Sequence, residues 1–155
     1  MFGTFRKLMA EFVDGGKPAH EYGEDDYRLA AASLLVHTAN IDGNISEAER
    51  VRLHDVIKQR FALDDIATDR LVEEATEADA KAIDLYQFTT RLNRALDDTG
   101  RIRLVEMMWQ IVYADGAVTE FEDNLIWRAA DLLHVSREQR IALRARVAAA
   151  QTKAP

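Results

Sequence analysis

The sequence predicts an all-α protein, a compact bundle of about seven helices with an internal repeat. First, its 155 residues include only two prolines, Pro18 and Pro155, so little interrupts helix formation. Second, valine, isoleucine and threonine are scattered among alanine, leucine, arginine and glutamate, and no segment alternates with the two-residue period of a strand. Third, apolar residues recur at the three- and four-residue spacing of one helical face.

In chain order, this spacing predicts helices near 27–41, 47–61, 65–75, 79–96, 101–114, 120–133 and 137–150. The sixth segment shows the spacing most clearly, with one apolar face formed by Phe121, Leu125, Ile126, Ala129, Leu132 and Leu133. Residues whose side-chain oxygens can cap free amide groups precede most of the later helices, at Ser46, Asp64, Asp98 or Thr99, Thr119 and Ser136. Two independent signals therefore predict where the helices start.

The first residues of the chain form a separate predicted unit. If residues 2–13 are helical, Phe2 and Phe5 share one face with further apolar side chains. The following stretch, 13–23, holds four Gly and Pro residues, which is typical of a connector. We therefore divide the chain into an N-terminal amphipathic helix with its connector (1–23) and a helical domain (24–155). The N-terminal helix either folds back onto the bundle or docks elsewhere, with Phe2 and Phe5 as partner contacts or, as a further option, in peripheral association with a membrane.

Composition excludes several functional classes. The chain has no cysteine, which excludes thiol nucleophiles, redox pairs and thiolate zinc sites. Its formal net charge is -7, from 27 Asp and Glu against 20 Lys and Arg, so no broad attraction to nucleic acid is expected. No segment reaches the roughly 18 apolar residues of a membrane span, and no secretion signal is expected. A cytoplasmic location is the expectation.

An eight-residue motif occurs twice. Residues 42–49 (DGNISEAE) align with residues 115–122 (DGAVTEFE) at a shift of 73 positions, with four identities and two conservative differences. Each copy follows an apolar helix and precedes an amphipathic one. Two copies of helix, Asp-Gly turn, helix, cap and helix therefore make up most of the bundle, and we expect an approximate twofold relation between them.

Helix capping is one interpretation of this motif. Ser46 with Glu49, and Thr119 with Glu122, match the capping box, in which a hydroxyl and a carboxylate satisfy amide groups at a helix start. Asp-Gly is a common turn dipeptide because glycine adopts positive φ without strain. On this interpretation the motifs only connect and cap helices.

A divalent-cation site is the second interpretation. The aspartate of each motif ends a core-facing helical stripe and the last glutamate begins one, so these four carboxylates are expected to point inward. If the repeats converge, these groups repel one another, and a hard cation such as Ca²⁺ or Mg²⁺ relieves that repulsion. The predicted ligands are Asp42, Glu49, Asp115 and Glu122. The hydroxyl-bearing residues Ser46 and Thr119 are expected beside them.

At these residues the chain resembles the TerB-like family, the helical domain of tellurite-resistance proteins and, in a related form, of certain DnaJ-type co-chaperones. The likeness is carried by the motifs at 42–49 and 114–122 and by the apolar segment 101–109 (RIRLVEMMW), and it spans about 25–150. The resemblance implies a compact helical bundle with no established enzymatic activity. It also implies acidic positions proposed to bind metal, here Asp42, Glu49, Asp115 and Glu122, with Glu47 and Glu120 as supporting groups around them.

No other pattern in the chain indicates catalysis. The four histidines form no metal-binding pair, and no glycine-rich phosphate loop or nucleophile elbow is present. His37, one turn before the first motif, is the one histidine predicted near the site. Trp109 is predicted to lie in the core, whereas Trp127 falls beside the main stripe of its helix and is a predicted partner contact.

These observations predict a non-catalytic binding or scaffold domain of TerB-like type, in a stress system related to tellurite resistance. We expect it to bind a protein partner and a divalent cation. The alternative is a metal-free protein-interaction domain whose acidic motifs only cap helices. The oligomeric state and the identity of the partner are left open.

Overall fold

The computed structural model describes residues 26–41 and 43–153, which form seven α-helices and one 3-10 helix and contain no strand. None of the described helices combines the length and the apolar character that crossing a bilayer requires. The all-α prediction is confirmed for this part of the chain, whereas the predicted N-terminal helix, with Phe2 and Phe5, lies outside it. The helices are α1 (Tyr27–Ala39), α2 (Glu47–Arg60), α3 (Asp65–Lys81), α4 (Tyr86–Ala95), α5 (Asp98–Val112), the 3-10 helix (Tyr113–Asp115), α6 (Glu120–Leu132) and α7 (Arg137–Lys153).

The two sequence repeats have the same helical arrangement. Helices α1, α2 and α3 form the first repeat, helices α5, α6 and α7 form the second, and α4 connects them. In each repeat the third helix packs against the first, and the two first helices, α1 and α5, pack against each other. Helix α2 also contacts α5, and α6 contacts α1, so the contacts between repeats are reciprocal. A twofold relation requires this reciprocity.

Helix α1 forms the centre of the core. Ten of its 13 residues are buried, and it contacts α2, α3, α4, α5 and α6. Such all-round burial suits its apolar sequence, LAAASLLV, at residues 29–36. The hydroxyl groups of Ser33 and Thr38 donate to the carbonyl oxygens of Leu29 and Leu34 at 2.7 and 2.8 Å, so burial leaves neither hydroxyl unsatisfied.

Two predicted helix boundaries are wrong. The segment predicted as one helix near 79–96 is divided, because α3 continues to Lys81 and α4 begins only at Tyr86. In the connection, an Asp84 carboxylate oxygen accepts a hydrogen bond from the Tyr86 amide at 2.9 Å, which turns the chain without Gly or Pro. Helix α5 begins after Asp97, whose carboxylate accepts from the amide of Gly100 at 2.8 Å, and not after Asp98 or Thr99.

Glu106 connects three helices. It lies on α5, and its two carboxylate oxygens accept hydrogen bonds from Arg60 of α2, at 2.6 Å, and from Arg146 of α7. Burial by itself raises the pKa of Glu106, but the bonds from these two guanidinium groups outweigh it and the pKa is lowered. The contact fixes α2 of the first repeat against the second repeat.

Candidate functional site

Two turns with the same backbone conformation precede the second helix of each repeat. Gly43 has a φ of 83° and Gly116 a φ of 85°, in the left-handed region where a side chain is strained. A Cβ atom at either position meets no atom within 4 Å, so the backbone conformation and not a lack of space requires glycine. The turns place Ser46 and Thr119 at matching positions before α2 and α6.

Both predicted capping boxes are present. Ser46 Oγ accepts a hydrogen bond from the Glu49 amide at 3.0 Å, and Glu49 Oε1 accepts one from the Ser46 amide at 3.2 Å. Thr119 and Glu122 make the same two contacts at 3.1 and 2.8 Å. Each glutamate therefore uses Oε1 to cap its own helix, which leaves Oε2 for another contact.

The two capping glutamates are buried and meet between the repeats. Glu49 and Glu122 are each 3% exposed, and the carboxyl group of Glu122 lies within hydrogen-bonding reach of Glu49. No lysine or arginine among the described residues forms an ion pair with either carboxylate. Glu49 Oε2 is buried, and no amide, hydroxyl or cationic group of the described residues donates to it, so a protonated Glu122 is its available hydrogen-bond donor. Because an unsatisfied buried carboxylate oxygen is costly, this pair is the candidate site.

The surroundings raise the pKa of Glu49 from 4.5 to about 7. Burial is the largest cause, because it disfavours the charged form. The capping contacts with Ser46 oppose the shift, whereas the neighbouring carboxyl group of Glu122 adds to it. Near neutral pH the Glu49 carboxyl therefore holds a proton in a substantial fraction of molecules, and a cation that binds there displaces this proton.

The other predicted site residues differ in their placement. Asp42 lies outside the described residues, and so does the side chain of Asp115, whose backbone ends the 3-10 helix. Glu47 and Glu120 are exposed in the first turns of α2 and α6. Among the side chains that the structure describes, no three or more His, Asp or Glu residues form a group suited to a metal ion. That Asp42 and Asp115 join the glutamate pair stays a prediction.

Three aromatic residues singled out in the sequence have clear environments. His37 Nδ1 lies 2.8 Å from Asp79 Oδ1, a contact that joins α1 to α3 and that no local sequence pattern indicates. Trp109 is 1% exposed, which confirms its predicted place in the core. Trp127 is 57% exposed, as its position beside the helical stripe predicts. Its contact with a partner stays a prediction.

Comparison with known proteins assigns the fold to a family. The sequence profile of the family described as tellurite resistance protein TerB matches residues 28–145. The chain belongs to the TerB family. The matched part of this TerB-family chain begins in α1, ends in α7 and includes both turns and both capping boxes. No curated protein and no solved structure gave a match.

The chemistry of the glutamate pair in this TerB-family chain suits a hard cation. Its donors are carboxylate oxygens, which Ca²⁺ and Mg²⁺ prefer. The Oε1 atoms are engaged in capping, so Glu49 Oε2 is the oxygen left for a cation or for a proton shared with Glu122. A divalent cation held there by Glu49 and Glu122 would offset the repulsion between the two carboxylates.

Proposed function

We propose that this TerB-family protein is a non-catalytic binding scaffold in which Glu49 and Glu122 hold a divalent cation, with Asp42 and Asp115 as further ligands. One observation carries the proposal. Glu49 Oε2 is buried beside the second acidic group, and no described group other than a protonated Glu122 donates to it. A pair of acids in this position is destabilising without a shared proton or a cation, and Ca²⁺ or Mg²⁺ matches the oxygen donors.

A third capping box in the same chain supports a role for the negative charges of Glu49 and Glu122 beyond helix capping. Before α7, the Ser136 hydroxyl accepts from the Gln139 amide at 3.2 Å, and the Gln139 side-chain oxygen accepts from the Ser136 amide at 3.1 Å. Glutamine therefore caps a helix of this protein without charge, and this third box is exposed. In the two boxes that carry glutamate, the glutamate itself is buried. Capping alone does not require an acid there.

In this function Glu49 and Glu122 bind the cation and orient the helices that carry them, and no bond of a substrate is broken. Because α2 and α6 belong to different repeats, a cation held by Glu49 and Glu122 fixes the first turn of one helix against that of the other. The relative position of the two repeats then sets the surface that a protein partner contacts. We place this role in the cytoplasm, in a stress response of the tellurite-resistance kind.

Thermal unfolding with and without divalent ions tests the proposal. The protein is treated with a chelator, and its melting temperature is then measured with Ca²⁺, Mg²⁺, Mn²⁺ or Zn²⁺ added in turn. An ion at roughly 100 times its dissociation constant stabilises the folded state by about 2.7 kcal/mol, which raises the melting temperature of a domain of this size by roughly 5–10 °C. We expect this rise for Ca²⁺ or Mg²⁺.

Matched variants locate the ion. Glu49→Gln with Glu122→Gln keeps the capping groups and removes both buried charges, so the rise in melting temperature is expected to disappear. Glu47→Gln with Glu120→Gln removes the same charge from exposed positions of the same helical turns and is expected to keep most of the rise. Asp42→Asn with Asp115→Asn is expected to abolish it if these residues are ligands.

The second candidate function is a metal-free protein-interaction domain. The observation that favours it is the presence of both complete capping boxes, which give Ser46, Thr119 and the two glutamates a structural role without any ion. If none of the four ions raises the melting temperature of the chelator-treated parent protein, the cation proposal is wrong and this second function stands.

A further inference from the structure

A groove runs between α6 and α7, on the second repeat. We call it the α6–α7 groove; it encloses about 380 Å³, and its lining includes Trp109, Asp123, Trp127, Arg140, Ile141 and Arg144. Two of its apolar side chains face solvent, since Trp127 is 57% and Ile141 51% exposed. A half-exposed tryptophan beside arginine is the composition typical of protein-binding hot spots.

One wall of the groove is held in place by contacts within the protein. The Arg144 guanidinium lies 5.1 Å from the centre of the buried Trp109 ring. Arg144 also donates to the Tyr113 hydroxyl at 2.9 Å and to an Asp123 carboxylate oxygen at 2.7 Å. The charge of Arg144 is therefore compensated inside the protein, and its side chain is a fixed surface.

One turn before Arg144 on the same helix, the groove carries a guanidinium without an ion-pair partner. Arg140 lies 5.3 Å from the centre of the Trp127 ring, and no described carboxylate forms an ion pair with Arg140 or with Arg137, one turn earlier on α7. Partial burial lowers the pKa of Arg140, and the charges of Arg137 and Arg144 add to this effect, whereas the carboxylates of Asp123 and Asp131 oppose it. The guanidinium stays charged, and no carboxylate of the described residues contacts it as an ion-pair partner.

The first repeat shows that the fold does not require these residues. The equivalent groove between α2 and α3 has His54 at the position of Trp127. The third helices begin at Asp65 and Arg137, so Thr68 stands at the position of Arg140. His54 Nε2 lies 3.0 Å from Asp69 Oδ1, so this groove pairs its polar groups internally. Two copies of one scaffold therefore differ where the second copy exposes an aromatic ring and an unpaired cation.

We propose that the α6–α7 groove binds an acidic peptide segment of a partner protein, with an apolar side chain against Trp127 and Ile141 and an adjacent carboxylate on Arg140. Charge complementarity identifies the partner, because a carboxylate supplies the ion pair that Arg140 lacks. Nucleic acid and anionic membranes need an extended basic surface, whereas this chain has a net charge of -7 and places Asp123 in the groove. The inference rests on the protein-binding part of the proposed function and not on the cation.

Selection from a display library of random short peptides tests this assignment. The full chain is the bait, and recovered peptides are resynthesised and titrated by fluorescence anisotropy. We expect sequences with a net negative charge in which Asp or Glu adjoins a large apolar residue. Trp127→Ala and Arg140→Gln are each expected to weaken binding by roughly tenfold or more, as for central anchors of an interface. Both side chains are at the surface, and an unchanged circular dichroism spectrum verifies folding.

Two controls separate this proposal from the cation site. His54→Ala changes the equivalent groove of the first repeat and is expected to leave peptide binding unchanged. The peptide titration of the parent protein is run with chelator present and the ion titration without peptide, so a failure of peptide binding and a failure of ion-dependent stabilisation are observed separately. Recovery of no peptides, of basic peptides, or of peptides insensitive to Trp127→Ala and Arg140→Gln overturns the assignment.

Other occupants of the groove are distinguishable in the same assay. The competitors are single-stranded DNA, vesicles of phosphatidylcholine with phosphatidylglycerol, a synthetic peptide of residues 1–25, and the chain itself at high concentration. The acidic-peptide proposal is wrong if the protein binds one of these competitors more tightly than the recovered peptides and loses that binding in Trp127→Ala. That competitor is then the occupant of the groove.

Discussion

At the residue scale, Glu49 and Glu122 combine two tasks in one side chain. Their Oε1 atoms accept hydrogen bonds from the amides of Ser46 and Thr119, which satisfies the start of each helix. Because both side chains are also buried, capping brings a negative charge into the space between the repeats. The energetic consequence is the raised pKa of Glu49. Its effect on the free energy of unfolding can be measured without any ion.

The stability of the chelator-treated protein is expected to fall as pH rises from about 4.5 towards about 7. In this range folded Glu49 binds more protons than unfolded Glu49, so the free energy of unfolding decreases with pH, by an amount on the order of a few kcal/mol in total. Urea unfolding across the range measures it. Glu49→Gln is expected to flatten the dependence, and an equal slope in parent and variant would contradict the assignment to this group.

Glu106 changes the pH dependence of stability in the opposite direction to Glu49. Its pKa is lowered by Arg60 and Arg146, so its contribution to stability is present above its unfolded pKa of about 4.5 and is lost as pH falls further. The two glutamates therefore act in adjacent pH ranges and in opposite directions. A Glu106→Gln variant should keep the decrease above pH 4.5 that Glu49 causes.

Single-residue orientation was predictable from the sequence only where a helical stripe was long. The stripe beginning at Glu122 correctly predicts burial of Ile126 and Ala129. The apolar spacing of the same helix also places Phe121 on this face, but Phe121 is 71% exposed. Since Glu122 occupies the inward position, its immediate neighbour lies about 100° away on the helix. Apolar character alone suggested the opposite orientation for Phe121.

At the scale of elements, the two turns are expected to respond alike to substitution. Gly43→Ala and Gly116→Ala each place a side chain at positive φ, which costs roughly 1–2 kcal/mol, although the added Cβ has open space. Urea unfolding followed by circular dichroism measures both. Ala62→Gly is the matched control, because Ala62 already has a φ of 51° and glycine there is expected to stabilise the end of α2. Unchanged midpoints in both turn variants would contradict the argument.

Elements were predictable where the sequence marks their ends. Ser46, Asp64, Thr119 and Ser136 each make the capping contact that their position indicates. The break between α3 and α4 was missed, because residues 76–81 favour helix and neither Gly nor Pro follows them. The contacts that join elements, such as His37 with Asp79, depend on tertiary packing and have no local signal.

At the scale of the whole molecule, the two repeats share one core. Helix α1 belongs to the first repeat, but it is buried by α5 and α6 of the second as well as by α3 and α4. Loss of either repeat exposes large apolar side chains of α1, including Leu34 and Leu35, which are 0% exposed. The internal duplication visible in the sequence therefore does not divide the protein into independent folding units.

Unfolding is accordingly expected to be a single cooperative transition in urea. Circular dichroism reports all helices, whereas tryptophan fluorescence reports the second repeat, because Trp109 and Trp127 both lie there. The two midpoints should coincide. Leu34→Ala removes a buried side chain of α1, in the first repeat, and is expected to destabilise by roughly 2–5 kcal/mol. Because the core is shared, this variant should lower the fluorescence midpoint as much as the dichroism midpoint. A fluorescence midpoint that Leu34→Ala leaves unchanged would mean that the second repeat folds without the first.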